Sequence, residues 1–162
     1  MSAARNDSAR ASADRMLEIS RTFAAPRSLV FKALTEREHI MRWMAPKGFT
    51  MPFCEGDVRV GGAWRCCMVA PDGVEHWVGG VYREVVPDRR VVCTHAWDES
   101  GQRGHETLLT ITLDDAKGGT KLTLQQAAFA SRESRDGHRG GWNECLDKLA
   151  LLLDTTHEEK AP

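Results

Sequence analysis

The sequence predicts a single α+β domain in which an antiparallel meander is backed by one long C-terminal helix. Three observations carry that prediction. Turn-forming clusters at Pro71-Asp72-Gly73, Pro87-Asp88-Arg89, Glu99-Ser100-Gly101 and Lys117-Gly118-Gly119 cut residues 49–129 into five or six short runs. Connections that short join antiparallel neighbours, because parallel neighbours need a long crossover. Past residue 130 the period changes: Trp142, Cys145, Leu146, Leu149, Ala150 and Leu153 recur at helical spacing, opposite Asn143, Asp147, Lys148 and Asp154. Finally, 162 residues are enough for one core and too few for two.

Each element has a local reason. Leu17, Ile19, Arg21 and Phe23 alternate with Glu18, Ser20 and Thr22, the pattern of a half-buried strand. Pro26 ends it and suits the first turn of a helix, where its missing N–H costs nothing; Leu29, Val30, Ala33 and Leu34 follow at helical spacing. Thr35-Glu36-Arg37-Glu38 has the form of a capping box, expected to start a second short helix with Ile40, Met41 and Trp43, stopped before Pro46. The strand runs are Trp64–Val69, Glu75–Val86, Val91–Trp97, His105–Leu113 and Lys121–Phe129. The last helix begins in the 130s, where Gly137, Gly140 and Gly141 weaken its first turns and are expected to let it approach the sheet closely. Its apolar stripe must be buried, and the concave face of the sheet is the large partner available.

Composition narrows the function classes. Twenty-two basic against 23 acidic residues leave a net charge of −1, which argues against nucleic acid or an anionic membrane as partner. No apolar run approaches the roughly 20 residues of a membrane span. Cys54, Cys66, Cys67, Cys93 and Cys145 are odd in number and contain no C-x-x-C pair, so they read as free thiols of a reducing cytoplasm, with Cys66, Cys67, Cys93 and Cys145 as small buried hydrophobes. Met1 to Arg15 lacks the apolar centre of a secretory signal and reads as a disordered tail. The expected organisation is therefore tail 1–15, one domain over 16–156 and a C-terminal tail 157–162. His76, His95 and His105 fall on different strands without ligand spacing, so no metal site is expected and no cofactor is implied.

The order of elements resembles the helix-grip, START-like superfamily, and more closely the family named for the C-terminal domain of the heat-shock-protein-90 ATPase activator. The matching stretches are Phe23-Ala24-Ala25-Pro26, Val30-Phe31, Leu34-Thr35, Arg42-Trp43, Asp57-Val58-Arg59-Val60-Gly61-Gly62, Pro71-Asp72-Gly73, Glu84-Val85-Val86-Pro87 and Gly141-Trp142 before Leu146 and Leu149. Together they cover about residues 16–154. The resemblance implies a curved antiparallel sheet gripping the C-terminal helix, with a cavity between them. It transfers no catalytic signature, and the client-contacting N-terminal domain of the eukaryotic activator has no counterpart in residues 1–15.

Strand alternation then nominates the cavity wall. Trp64, Cys66 and Met68 are expected inward and Arg65 outward; His76, Val78, Gly80, Tyr82 and Glu84 inward and Arg83 outward. Val91, Cys93, His95 and Trp97 face in, with Leu109 and Gln126 from the later strands and Trp43, Trp142 and Leu146 from the helices. A four-residue Pro87–Arg90 loop would set Tyr82 opposite His95 and Glu84 opposite Cys93; the Pro71–Gly73 loop sets Trp64 opposite Gly80. Trp142 and Leu146 are expected to roof the cavity, while Leu149 and Leu153 seal its closed end.

The expected function is binding of a small apolar or aromatic molecule between sheet and helix, with Tyr82, Glu84, His95 and Gln126 as polar handles. Two alternatives stand beside it. One is a co-chaperone-like interaction module, with Trp77 at an exposed edge serving a homodimer or protein partner. The other is a cyclase- or hydrolase-like enzyme using Glu84 and His95 as acid–base partners, which requires them to touch.

Overall fold

The computed structural model describes residues 13–160, with side chains described as far as Thr155. The N-terminal stretch read as a tail lies mostly outside these residues, but its end does not. Asp14 pairs with Arg132 at 3.4 Å, and the Arg15 carbonyl accepts from the Phe129 N–H, so both belong to the globule.

Strand β1 (Leu17–Phe23) buries Leu17, Ile19 and Phe23 and exposes most of the residues between them. Pro26 caps helix α1 (Arg27–Thr35), which turns Leu29, Val30, Ala33 and Leu34 into the core. Helix α2 (Arg37–Trp43) follows after the single extended residue Glu36. The capping box does not form: the Thr35 hydroxyl donates back to the Phe31 carbonyl within its own helix, and Glu36 rather than Thr35 occupies the cap position. One residue between two helices leaves Thr35 no room to swing forward.

Seven strands follow: β2 (Thr50–Gly56), β3 (Ala63–Val69), β4 (Glu75–Val86), β5 (Arg90–Glu99), the two-residue β6 (Gln102–Arg103), β7 (Thr107–Ala116) and β8 (Gly119–Ala127). The sheet runs β1-β8-β7-β5-β4-β3-β2, antiparallel throughout, with β6 on the end of β5. Trp64 lies opposite Gly80, as the Pro71–Gly73 loop requires. The β4–β5 pairing differs from expectation. Val86 pairs with Arg90, leaving a three-residue turn with Asp88 at φ 63°, and a bulge shifts the register between Tyr82 and Glu84. Tyr82 is therefore opposite Cys93, and Glu84 opposite Val92.

Helix α3 (Arg132–Lys160) crosses the concave face and continues through 157–160, beyond the expected domain end. Its stripe of Trp142, Cys145, Leu146, Leu149 and Leu153 is buried in one cluster with β1, α1, β7 and β8. Polar clamps fix the middle of the helix. Arg21 reaches Asp147 at 2.8 Å, and Lys148 donates to the Ala45 carbonyl at 2.8 Å. The result is a helix-grip α+β fold, and among the described residues no helix is long and apolar enough to cross a membrane.

Candidate functional site

Two chambers share Met44 and His95, but only the outer one lies between sheet and α3. The inner one is closed by Leu34 of α1 and Ile40 of α2, with no α3 residue in its lining, so the expected single cavity under the final helix is split. The inner chamber, about 70 Å³, lies over β3, β4, β5 and β7 and is walled by Trp64, Cys66, Tyr82, Cys93 and Leu109. Exposed Arg37, Glu55 and Gly56 mark where it meets the surface. The outer chamber, about 340 Å³, opens between the first turns of α3 and the ends of β3 to β5. Met68, Trp97 and Trp142 line it with Phe49, His76, His138 and Cys145.

A buried polar relay holds the shared wall. Trp142 Nε1–H donates to Gln126 Oε1 at 2.7 Å; an indole can only donate, so this fixes the amide orientation. Gln126 Nε2 then donates to Thr107 Oγ1 at 2.8 Å and lies 3.3 Å from His95 Nδ1. Thr107 in turn donates to the His95 carbonyl at 3.0 Å. Since the Gln126 amide nitrogen can only donate, His95 Nδ1 accepts and its proton sits on Nε2. That Nε2–H has no hydrogen-bond partner among the described residues. Burial, with His138 and Arg103 nearby, lowers the His95 pKa to about 3, so the ring is neutral near pH 7.

His138 carries the complementary tautomer. Its Nε2 accepts from Trp97 Nε1–H at 2.9 Å, so Nδ1–H donates to the Ser134 carbonyl at 2.7 Å. Its ring stands 4.9 Å from Phe129 and 6.0 Å from His95. Gly80 is required by a close backbone approach between β4 and β5. A Cβ there would meet the Thr94 carbonyl oxygen at 1.9 Å, and the Trp64 indole N–H donates to that same oxygen at 3.2 Å. The Tyr82 hydroxyl has no partner among the described residues, and burial pushes its pKa above the usual phenol value.

Several nominated residues lie elsewhere. Trp43 is wholly buried core, its indole N–H bonded to the Ala33 carbonyl at 2.8 Å, and it lines neither chamber. Leu146 and Val78 are packed core too, leaving Trp142 as the one of the two proposed roof residues that meets open space. Gln126 stands behind the wall, holding His95 and Trp142. Glu84 is turned out by the bulge and pairs with Arg90 at 3.2 Å, so it does not reach His95 and the acid–base pair is not assembled. Trp77 is on an interior strand and on the outer face, half-buried under the Arg65 guanidinium at 4.8 Å and beside Phe53. Gly137 and Gly140 have open space where a Cβ would stand, so they do not mark close approach to the sheet. His138 escaped the sequence reading because it precedes the clear part of the helical stripe; the small residues around it, Gly137 and Gly141, were the available signal.

Fold and site together define the class: a helix-grip domain with an outer chamber between its sheet and final helix and an inner one under the two short helices. Residues 24–154 match the family of Activator of Hsp90 ATPase homolog 1-like proteins, and the chain belongs to that family. Among solved structures, a protein of Chromobacterium violaceum is 30% identical, with a TM-score of 0.80 over 86% of this chain and 96% of that one. The AHSA1 protein of Silicibacter pomeroyi is 27% identical, with a TM-score of 0.81 over 88% and 99%. A protein of Nitrosomonas europaea is 26% identical, with a TM-score of 0.76 over 90% and 98%. No curated protein matches the chain.

Proposed function

We propose that this protein binds a small, largely apolar or aromatic molecule in the outer chamber, with the inner chamber accepting a narrow substituent. The observation that carries the reading is His95. A neutral, buried imidazole offers an unpartnered Nε2–H at the wall common to both chambers, between Trp64, Trp97 and Trp142 rings 5.7 to 6.3 Å away. Apolar walls supply affinity, and one fixed donor supplies orientation, the usual construction of a small-molecule site. The molecule should therefore carry a hydrogen-bond acceptor on an aromatic or aliphatic body. Five free cysteines fit a reducing, cytoplasmic setting for such a binder. The interaction-module reading gains nothing from Trp77, which Arg65 and Phe53 cover.

Native mass spectrometry of protein purified from its own host tests the proposal directly, by showing a mass adduct that denaturation releases. An environment-sensitive apolar dye should also bind and quench tryptophan fluorescence, and His95→Phe should weaken dyes that carry an acceptor more than those that do not. Absence of both an adduct and saturable dye binding would refute the reading.

A further inference from the structure

Cys54 on β2 and Cys66 on β3 are direct cross-strand partners in the wall of the inner chamber, a position independent of what the outer chamber binds. Their sulfurs are 3.0 Å apart, closer than the roughly 3.5–4.0 Å of ordinary packing contacts. Residues directly opposite on antiparallel strands have Cα atoms about 4.5–5.5 Å apart. That lies inside the roughly 4.4–6.8 Å that a disulfide spans, so bond formation needs little backbone movement. We propose that Cys54 and Cys66 form a redox-active dithiol, which a hydroperoxide entering the inner chamber converts to a disulfide across β2 and β3.

The two thiols differ in role. The Cys66 S–H donates to Cys54, and the Arg37 guanidinium at the chamber mouth adds a favourable charge, so the Cys54 pKa falls despite burial. The same hydrogen bond and burial push Cys66 up. The other cysteines do not share these features. Cys67 faces the opposite side of β3 beside Glu75, and burial pushes Cys93 and Cys145 up to about 12. Cys54 is the nucleophile and Cys66 resolves.

The chemistry balances with hydrogen peroxide as oxidant. The Cys54 thiolate attacks one peroxide oxygen and the O–O bond breaks. Hydroxide leaves, taking up the proton that Cys54 had released, and Cys54 becomes a sulfenic acid. The Cys66 sulfur then attacks the Cys54 sulfur, the S–O bond breaks, and the departing hydroxyl takes the Cys66 proton as water. Two thiols lose two electrons, and one peroxide becomes two waters. A small-molecule thiol reverses the bond by exchange.

The test uses the full chain, reduced, desalted and exposed to a small excess of hydrogen peroxide. Thiols titrated in denaturant should fall from five to three, because one bond consumes two of the five cysteines. Peptide mapping should find a Cys54–Cys66 bridge that dithiothreitol removes. In Cys66→Ser, a sulfenic-acid probe should label Cys54; in Cys54→Ser it should leave Cys66 unlabelled. Retention of all five thiols, a bridge using Cys67 or Cys93, or labelling of Cys66 in Cys54→Ser would overturn the proposal. The wild-type mapping decides it even if a variant fails to fold.

Discussion

The indole N–H of Trp142 and the side-chain oxygen of Gln126 meet at 2.7 Å, joining the final helix to the strand beneath it through a bond that water does not reach. Gln126 is wholly buried and also donates to Thr107 and His95, so one amide orients a helix, a strand and the site histidine. Gln126→Leu keeps the volume but strands the Trp142 N–H and the His95 Nδ1. It should cost about 2–6 kcal/mol in chemical denaturation, from roughly 1–3 kcal/mol for each of the two buried groups left unpaired. Trp142→Phe strands only the Gln126 oxygen and should cost less. If both variants matched wild type within experimental error, the relay would contribute nothing net.

His95 gives stability a pH dependence of known sign. Its pKa is near 3 in the folded chain, because burial opposes charge, and about 6.5 when unfolded. Between those values the unfolded state binds the extra proton. The contribution is therefore complete above about pH 6.5 and is lost as pH falls, at up to roughly 1.4 kcal/mol per unit. Asp98 and Asp147 add a separate, later loss, since Arg65 holds Asp98 and Arg21 and Lys47 hold Asp147 below the usual carboxylate range. Urea titrations from about pH 7 to pH 4.5 should show the slope, and His95→Gln should flatten it. A slope unchanged in His95→Gln would assign the effect to other groups.

The fold was legible because its signals are local. Alternation in Leu17–Phe23, the turn clusters and the stripe from Trp142 to Leu153 each act within a few residues, and all found their structural counterparts. The site was legible as far as register held. Trp64, Cys66 and Tyr82 face in as alternation requires, but one extra residue in the β4 bulge inverted the parity at Glu84. Nothing in Tyr82-Arg83-Glu84 distinguishes a bulged strand from a regular one. Trp43 and Leu146 were misplaced for another reason: periodicity tells which face of a helix is buried, not whether that face meets side chains or a void.

Glycine contacts separate two kinds of substitution. Gly80→Ala would put a methyl group 1.9 Å from the Thr94 carbonyl oxygen, a backbone atom that cannot step aside without disturbing the β4–β5 ladder. The expected cost is about 3 kcal/mol or more, with a shift in the Trp64 emission as its bond to Thr94 is lost. Gly140→Ala meets nothing within 4 Å inside a helix, and should instead stabilise by about 0.5–1 kcal/mol. Thermal melts of the pair read both signs. Stabilisation by Gly80→Ala would mean that the strands are not this close.

The final helix allows packing and binding to be separated. Leu149 is fully buried and touches neither chamber, so Leu149→Ala is a core deletion expected to cost about 2–5 kcal/mol. Leu146→Ala belongs with it, since Leu146 is equally enclosed. Trp142 is on the same stripe seven residues earlier, but one side of its ring faces the outer chamber and another faces His95 at 6.3 Å. Trp142→Ala should lower the affinity for an apolar dye by more than its stability loss accounts for, because it removes chamber wall and releases the Gln126 amide, whose nitrogen positions His95. Denaturation and dye titration on the same three variants make the comparison. Leu146→Ala and Leu149→Ala should lose stability while keeping dye affinity once conditions hold them folded. Equal dye affinity in Trp142→Ala would show that the indole serves packing alone, and the ligand would have to be sought in the inner chamber.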